Sequence, residues 1–215
     1  MKRIATTAAA AIITLCSSAQ DFNGWGIRAS LDVNLPGKWK TTNGESVKMF
    51  DKGAGAAIGA VYNQPIAGDF YFEPGLSLFY DTYSYSDLVR ISDGYESISI
   101  DPKVKKFGLR MPLNFGYRVY LPSGFNFAVY TGPELNFCVN GTLAIDKDIA
   151  EEADIPRDLY KYGYRRFDCA WKVGLGFPIG RWVVSIEGAF GLLDLHKNDI
   201  QFHENRLSLS LGYDF

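Results

Sequence analysis

The chain has 215 residues, with 22 basic and 24 acidic side chains and an aromatic content of 15%. This length suits one domain of ordinary size. Its formal net charge of −2 gives no support for nucleic-acid binding, and removal of Lys2 and Arg3 with a leader would make the charge more negative.

The N-terminal segment, residues 1–19, has the parts of a secretory signal peptide. A short basic start precedes a weakly apolar run at residues 4–15, and the small residue Ala19 marks the expected cleavage point. The run is shorter than the roughly 20 apolar residues that a membrane-spanning helix needs. We therefore expect residues 20–215 to form the mature domain. Cys16 leaves a lipoprotein anchor open as an alternative.

Alternation of apolar residues with small or charged ones predicts eight antiparallel strands in the mature chain. The last strand shows it most clearly, because Leu207, Leu209 and Leu211 alternate with Ser208 and Ser210. At a tilt near 40°, strands of about 11 residues span the apolar band of an outer-membrane barrel, roughly 25 Å. The predicted strands comprise residues 25–35, 54–63, 70–85, 104–118, 125–138, 167–177, 182–194 and 206–215.

The connections between these strands alternate between short and long. The short ones hold Pro with Gly, which predicts turns, and comprise residues 64–69, 119–124 and 178–181. The long, polar ones comprise residues 36–53, 86–103, 139–166 and 195–205. Outer-membrane barrels have short periplasmic turns and longer outer loops, so we expect both termini in the periplasm. A short helix within residues 147–162 is expected to cap the mouth.

The same alternation would also fit a soluble sandwich or a lipocalin-like barrel, with the apolar face inward. Two aromatic bands and glycines on the other face favour a membrane barrel. One band, at the expected periplasmic ends, comprises Trp25, Phe70, Phe125, Phe177, Trp182 and Phe215. The other comprises Tyr80, Phe107, Phe137, Phe167 and Phe190. We predict an all-β, transmembrane, antiparallel up-and-down barrel in the outer membrane, in contact with membrane lipid and lipopolysaccharide.

Charged residues of both signs fall on the predicted inward face. They are Arg28, Asp32, Glu73, Arg110, Arg118, Glu134, Asp168, Lys172, Glu187, Arg206 and Asp214. An eight-stranded barrel is just wide enough for side chains to fill, and an unpaired buried charge is costly. We therefore predict a packed lumen of paired charges. A gated polar conduit or a proton path is the alternative.

One charge pair can be placed by register. If Phe177 and Trp182 face each other across the turn at residues 178–181, Lys172 and Glu187 stand directly opposite on adjacent strands. Their Cβ atoms would then be about 5 Å apart. We expect an ion pair there.

Two further groups of residues bear on chemistry. Cys138 and Cys169 flank the third long loop, and export permits a disulfide. Their predicted faces are opposite, so a bond would need a bulge or a flared rim, and we leave it as possible. His196 and His203 lie in the last long loop, at a spacing typical of no closed metal site. A Ser-His pairing within one strand is absent, so we expect no catalytic residue, cofactor or enzyme activity.

Four segments carry a resemblance to a known family. They are residues 70–78 (FYFEPGLSL), 109–118 (LRMPLNFGYR), 130–134 (YTGPE) and 205–215 (NRLSLSLGYDF). In order and spacing they resemble the outer-membrane β-barrel proteins of Bacteroidetes-type bacteria, often labelled PorT-like, and more distantly the OmpA-type transmembrane domain. The resemblance implies an integral outer-membrane protein, and most members have no defined activity.

The final strand also resembles the signal that the barrel-assembly machinery recognises. By this resemblance Tyr213 and Phe215 are recognition residues as well as lipid-facing ones. Because nothing follows Phe215 in this sequence, we expect no peptidoglycan-binding domain of the OmpA type.

We expect a structural or surface-interaction barrel, or a subunit of a larger outer-membrane assembly that contacts a protein partner through its outer loops. A narrow channel for small solutes is the alternative. A lipid-modifying enzyme is a distant third.

Replacement of Phe215 by Asp should reduce the amount of barrel inserted in the outer membrane, because it removes the terminal aromatic residue of the assembly signal. Phe215→Tyr, which keeps the aromatic ring, is the matched control and should insert normally. Quantification of the protein in purified outer membranes measures both. Normal insertion of the Asp variant would contradict the assembly-signal prediction.

Overall fold

In the computed structural model, eight strands close into one barrel. Residues 24–41, 46–48, 50–84, 89–92, 97–100, 103–122, 124–144, 157–196 and 200–215 are described. The barrel strands are β1 (Gly24–Pro36), β2 (Gly53–Ala67), β3 (Phe70–Ser84), β4 (Lys103–Tyr120), β5 (Asn126–Ala144), β6 (Phe167–Ile179), β7 (Trp182–Gly191) and β8 (Glu204–Asp214). Each pairs antiparallel with its neighbours in sequence, and β8 closes the barrel against β1. The predicted fold is confirmed, and the predicted signal peptide lies outside the described residues.

The apolar face of every strand points away from the lumen. In β8, Leu207 and Leu209 are half exposed, at 50% and 54%, whereas Ser208 and Ser210 are 4% exposed. A soluble barrel would reverse this arrangement, because its apolar face would form the core. The observed arrangement is that of a barrel in lipid.

An apolar belt surrounds the barrel, since large exposed hydrophobic side chains occur on all eight strands. On β7 the belt runs from Trp182 to Phe190, which are 50% and 53% exposed. At a tilt near 40°, this separation corresponds to roughly 20 Å along the barrel axis, close to the apolar band of an outer-membrane barrel. The two predicted aromatic bands form the edges of this belt.

The two ends of the barrel differ. Tight turns join β2 to β3 and β6 to β7, and their glycines Gly68 and Gly180 have φ values of +56° and +61°. Glycine adopts this left-handed conformation without steric cost. We call this the short-turn end and the opposite one the long-loop end. The predicted alternation of connections is confirmed.

The register of the β6–β7 hairpin corrects the sequence prediction. Ile179 pairs with Trp182 around a two-residue turn, so Phe177 lies opposite Val184 and not opposite Trp182. The prediction assumed a four-residue turn, whereas the positive φ of Gly180 permits the tighter one. The resulting shift is two residues, which leaves every side chain on its predicted face.

Short elements cover the long-loop end. Strands Trp39–Thr41, Ser46–Val47 and Ile200–Gln201 form a small sheet, and Val89–Ser92 pairs with Ser97–Ile100. Of the helix expected within residues 147–162, the described part is a single 3-10 turn, Leu159–Tyr162, and residues 145–156 lie outside the described residues. No helix in the described ranges is long and apolar enough to cross a membrane.

Candidate functional site: the charged lumen

Near the short-turn end of the lumen, Arg28 forms ion pairs with residues of two other strands. Its guanidinium nitrogens lie 2.6 Å from Asp214 Oδ1 and 2.8 Å from Glu73 Oε2, which joins β1 to β8 and β3. Arg118 donates to Asn63 Oδ1 at 2.7 Å. These charged residues were all predicted to face inward, and the structure places them in the lumen.

Two tyrosines fill the lumen beside these charges, and glycines make room for their rings. A Cβ atom at Gly116 would lie 2.2 Å from the Tyr71 ring, and one at Gly174 would lie 2.4 Å from the Tyr130 ring. Both contacts are far shorter than van der Waals contact, so a larger residue would displace the rings. Glycine is therefore required at these two positions.

Lys172 and Glu187 form an ion pair, although they are not directly opposite. Lys172 pairs in register with Ala189, and Glu187 pairs with Gly174. The side chains meet on the diagonal, with Lys172 Nζ 2.7 Å from Glu187 Oε2. The Tyr130 hydroxyl also donates to Glu187 Oε1 at 2.7 Å.

Five charged side chains form what we call the central cluster: Asp32, Asp81, Arg110, Glu134 and Arg206. Arg110 lies 2.8 Å from Asp32 Oδ2 and 3.0 Å from Asp81 Oδ2. Arg206 lies 2.6 Å from Glu134 Oε1. Glu134 is 1% exposed and Arg110 is 5% exposed, so these charges of the cluster are buried.

Above the central cluster, toward the long-loop end, Lys106 forms an ion pair with Glu204. The Tyr83 hydroxyl donates to the same carboxylate at 2.7 Å. Asp168, also predicted to face inward, lines this part of the lumen, where Oδ1 is buried without a hydrogen-bond partner among the described residues.

Two cavities lie along the described lumen, of about 100 Å³ toward the short-turn end and about 50 Å³ toward the long-loop end. Each has room for several water molecules. The larger extends to Tyr120 and Phe127 at the short-turn end. Arg110 and Arg206 line both cavities, so the central cluster separates them.

The smaller cavity, toward the long-loop end, is covered by a hydrophobic cluster that we call the mouth plug. Its buried members are Phe50, Tyr83, Val104, Leu143, Leu159, Tyr164, Leu195 and Phe202. They come from strand ends and from three of the long loops. The Phe50 ring lies 5.0 Å from Tyr83 and 5.3 Å from Phe202. A short helix within residues 147–162 was predicted to cap the mouth, but the residues of the plug were not identified.

The 3-10 turn packs onto the plug and onto the upper wall of the lumen. The Tyr160 hydroxyl donates to the Cys138 carbonyl oxygen at 3.5 Å, and the Arg166 guanidinium lies 3.8 Å from the Tyr160 ring centroid. Burial raises the pKa of the Tyr160 phenol above its ordinary value. The turn is therefore fixed by side chains of both the wall and the loop.

The possible disulfide is not present. Cys138 and Cys169 are both free thiols. Cys138 is buried on the lumen side, whereas Cys169 pairs with Leu135 on the outward face. The β-barrel wall separates the two thiols, and the register shift between Phe107 and Gly108 beside Cys138 does not bring them together.

The two histidines of the last long loop contact neighbouring aromatic rings and backbone. The His196 ring lies 5.3 Å from Trp39 and 5.4 Å from Tyr164, beside the mouth plug. His203 Nδ1 lies 3.0 Å from the Leu193 carbonyl oxygen. Within the described ranges, no group of three or more His, Cys, Asp and Glu side chains is placed to hold a metal ion.

The predicted assembly-signal residues lie at the short-turn end. Tyr213 packs edge-on against Trp182 at 5.0 Å and against Phe215 at 5.5 Å. The Phe215 amide donates to the Trp25 carbonyl oxygen at 3.0 Å. These contacts place the terminal aromatic in the belt, and its role in assembly stays a prediction.

Sequence reasoning missed three lumen charges: Asp81, Lys106 and Glu204. A signal for each existed, because they have the same parity as Glu73, Arg110 and Arg206 in their strands and so share a face with them. Taken together, most charges of the described lumen form ion pairs, and aromatic rings pack beside them. Such an arrangement stabilises a closed interior.

Replacement of Glu187 by Gln should lower the free energy of unfolding by about 2–3 kcal/mol, because Lys172 would remain in the lumen without its counter-ion. The double variant Glu187→Gln, Lys172→Met should recover at least half of that loss. Urea unfolding in lipid vesicles measures both. Asp51→Asn, in the exposed Lys48–Asp51 pair, is the control and should cost less than about 0.5 kcal/mol. Additive effects of the two lumen substitutions would show that the pair is not coupled.

The family comparison agrees with this architecture. The family model described as outer membrane protein beta-barrel domain matches residues 18–197. No curated protein sequence matches the chain. The chain is similar to the solved structures of Neisserial surface protein A (14% identity, 91% of this chain and 100% of that one, TM-score 0.46) and of Ail, the attachment invasion locus protein of Yersinia pestis (14%, 90% and 99%, 0.45). The family match spans most of the sequence, and the chain belongs to the outer membrane protein beta-barrel domain family.

Proposed function

We propose that this outer-membrane β-barrel is a non-enzymatic structural or surface-interaction protein, or a subunit of a larger assembly, with a lumen closed to steady solute flow. In this proposal both termini lie in the periplasm and the long-loop end faces outward, where the loops contact a protein partner. The observation that carries it is the double closure of the described lumen by the central cluster and the mouth plug.

The central cluster supports closure because its two guanidinium groups form ion pairs with carboxylates of several strands. Arg110 lies within 3.0 Å of two carboxylates, and Arg206 lies 2.6 Å from a third. Opening a path through them would separate buried opposite charges, which costs several kcal/mol per broken pair. Thermal motion therefore does not provide a steady conduit.

The mouth plug supports closure by a different interaction. Its aromatic and aliphatic side chains are nearly all fully buried, with Phe50, Val104 and Phe202 at 0% exposure. Moving them aside would expose a large apolar area, at about 25 cal/mol per Å². The long loops at this end support the proposed contact with a protein partner, because binding residues are often carried on loops.

A narrow channel is the second candidate, and the two cavities favour it. Arg110 and Arg206 of the central cluster line both cavities, so rearrangement of this cluster would join them. A channel of this kind would open in discrete events and not conduct steadily.

Planar-bilayer recordings of the purified barrel should show no steady conductance, because both closures persist at equilibrium. Each sample should first be shown to be folded, by a shift in its migration on SDS gels after boiling. Discrete stepwise currents from folded protein would overturn the closed-lumen proposal and support the channel.

A further inference from the structure

The larger lumen cavity extends from the short-turn end of the barrel to the central cluster. It reaches Tyr120 and Phe127 at the short-turn end, and Arg110 and Arg206 line its inner end. Its volume of about 100 Å³ is smaller than the roughly 150 Å³ of an engineered protein cavity that binds benzene. The space therefore suits a compact molecule of about six non-hydrogen atoms or fewer.

The charged side chains that line this cavity already have partners among the described residues. Arg118 donates to Asn63 Oδ1 at 2.7 Å, and its guanidinium lies 4.9 Å from the Tyr71 ring centroid. The other charges form the ion pairs Arg28–Glu73, Arg28–Asp214, Lys172–Glu187, Arg206–Glu134 and Arg110–Asp32. A charged ligand would lose its hydration without gaining a counter-ion, which is unfavourable. The cavity therefore favours an uncharged ligand.

Asn114, in the wall of the same cavity, carries an unused hydrogen-bond acceptor. The residue is 3% exposed, and its Nδ2 donates to Glu73 Oε1 at 3.5 Å, which sets the orientation of the amide. Its Oδ1 is buried without a hydrogen-bond partner among the described residues. Buried polar atoms in native proteins are normally hydrogen-bonded, so this oxygen favours a ligand that brings a donor.

A proline removes a second donor from the same wall. Pairing of β5 with β6 is continuous through Pro133, whereas its pairing with β4 is interrupted at Leu113 and Asn114. Because proline has no N–H, the Leu113 carbonyl oxygen opposite it lacks its ladder partner. This oxygen lies on the lumen side, since a Cβ atom at the inward-facing Gly132 would be 2.0 Å from it. Two adjacent residues of β4 thus present acceptor oxygens at this part of the wall.

We propose that the larger cavity binds a small uncharged molecule that carries hydroxyl groups on a short apolar body. A hydroxyl would donate to Asn114 Oδ1, and the carbon atoms would lie along Ala57, Val61 and Pro112, which line the same space. The ligand would enter from the short-turn end, because the central cluster closes the other end. The inference goes beyond the proposed function, since it requires neither flow through the lumen nor a partner at the loops.

Ligand-observed NMR titration of the detergent-solubilised full barrel tests the proposal, with propane-1,3-diol as the probe. Propionate and propylammonium, which are similar in size but charged, are the matched comparison probes. The diol should bind saturably, and both ions should bind at least about tenfold more weakly, because the charges of the cavity are already paired. Equal binding of the diol and either ion, or no saturable binding of the diol, would overturn the proposed site.

Asn114→Leu, which keeps the approximate size of the side chain and removes the acceptor, should weaken diol binding about fivefold, the effect of one hydrogen bond. Asn136→Leu is the matched control. Its Oδ1 is likewise buried without a partner among the described residues, but Asn136 lines the smaller cavity beyond the central cluster. This control should change diol binding less than about twofold.

Unchanged binding by folded Asn114→Leu, or an equal loss in folded Asn136→Leu, would also overturn the site. Folding of both variants is checked by the shift in migration on SDS gels after boiling. If either variant fails to fold, the comparison of the three probes on the unmodified chain still decides. Each result is independent of conductance, so failure of this site and failure of the closed-lumen proposal are distinguishable.

Discussion

The arrangement of the lumen depends on the burial of two guanidinium groups, which must each be paired with carboxylates. Arg110 and Arg206 can be buried only because Asp32, Asp81 and Glu134 are positioned to receive them. These five residues come from β1, β3, β4, β5 and β8, so the ion pairs run across the lumen and not merely between adjacent strands. Backbone hydrogen bonds close the cylinder, whereas the central cluster joins its opposite walls.

The remaining lumen is organised around that constraint. Below the central cluster, Tyr71 and Tyr130 pack over glycines, and Lys172–Glu187 and Arg28 form further ion pairs. Above it, residues of the loops and strand ends form the mouth plug. Among the described residues, a small cavity with space for water lies on each side of the central cluster. The interior is thus filled by packed side chains. The surfaces that remain for interaction are the loops and the outer wall.

Much of this could be predicted from alternation alone. A period of two assigns each residue to a face, so the eight strands, the apolar belt and the inward charges followed from the sequence. Asp81 and Lys106 were predictable from the same parity but were overlooked. Register was harder, because it depends on the conformation of a single residue: the positive φ of Gly180 shortened a turn and displaced Lys172 from Glu187 by two positions.

The mouth plug could not be predicted, because several of its members lie in separate loops without periodicity. Phe50, Leu159 and Phe202 are far apart in the chain and meet only after the barrel has formed. Long-range contacts of this kind leave no local pattern in the sequence. The opposite faces of the two cysteines, by contrast, followed from local alternation.

Urea unfolding of the Glu134→Gln variant in lipid vesicles tests the central claim most directly. Gln keeps the size of the side chain but removes the charge that Arg206 and Arg110 approach at 2.6 Å and 3.7 Å. If the central cluster joins the barrel walls, the free energy of unfolding should fall by about 3 kcal/mol, since two guanidinium groups would share too few carboxylates. A change below about 0.5 kcal/mol, the range of an ordinary surface substitution, would contradict the account.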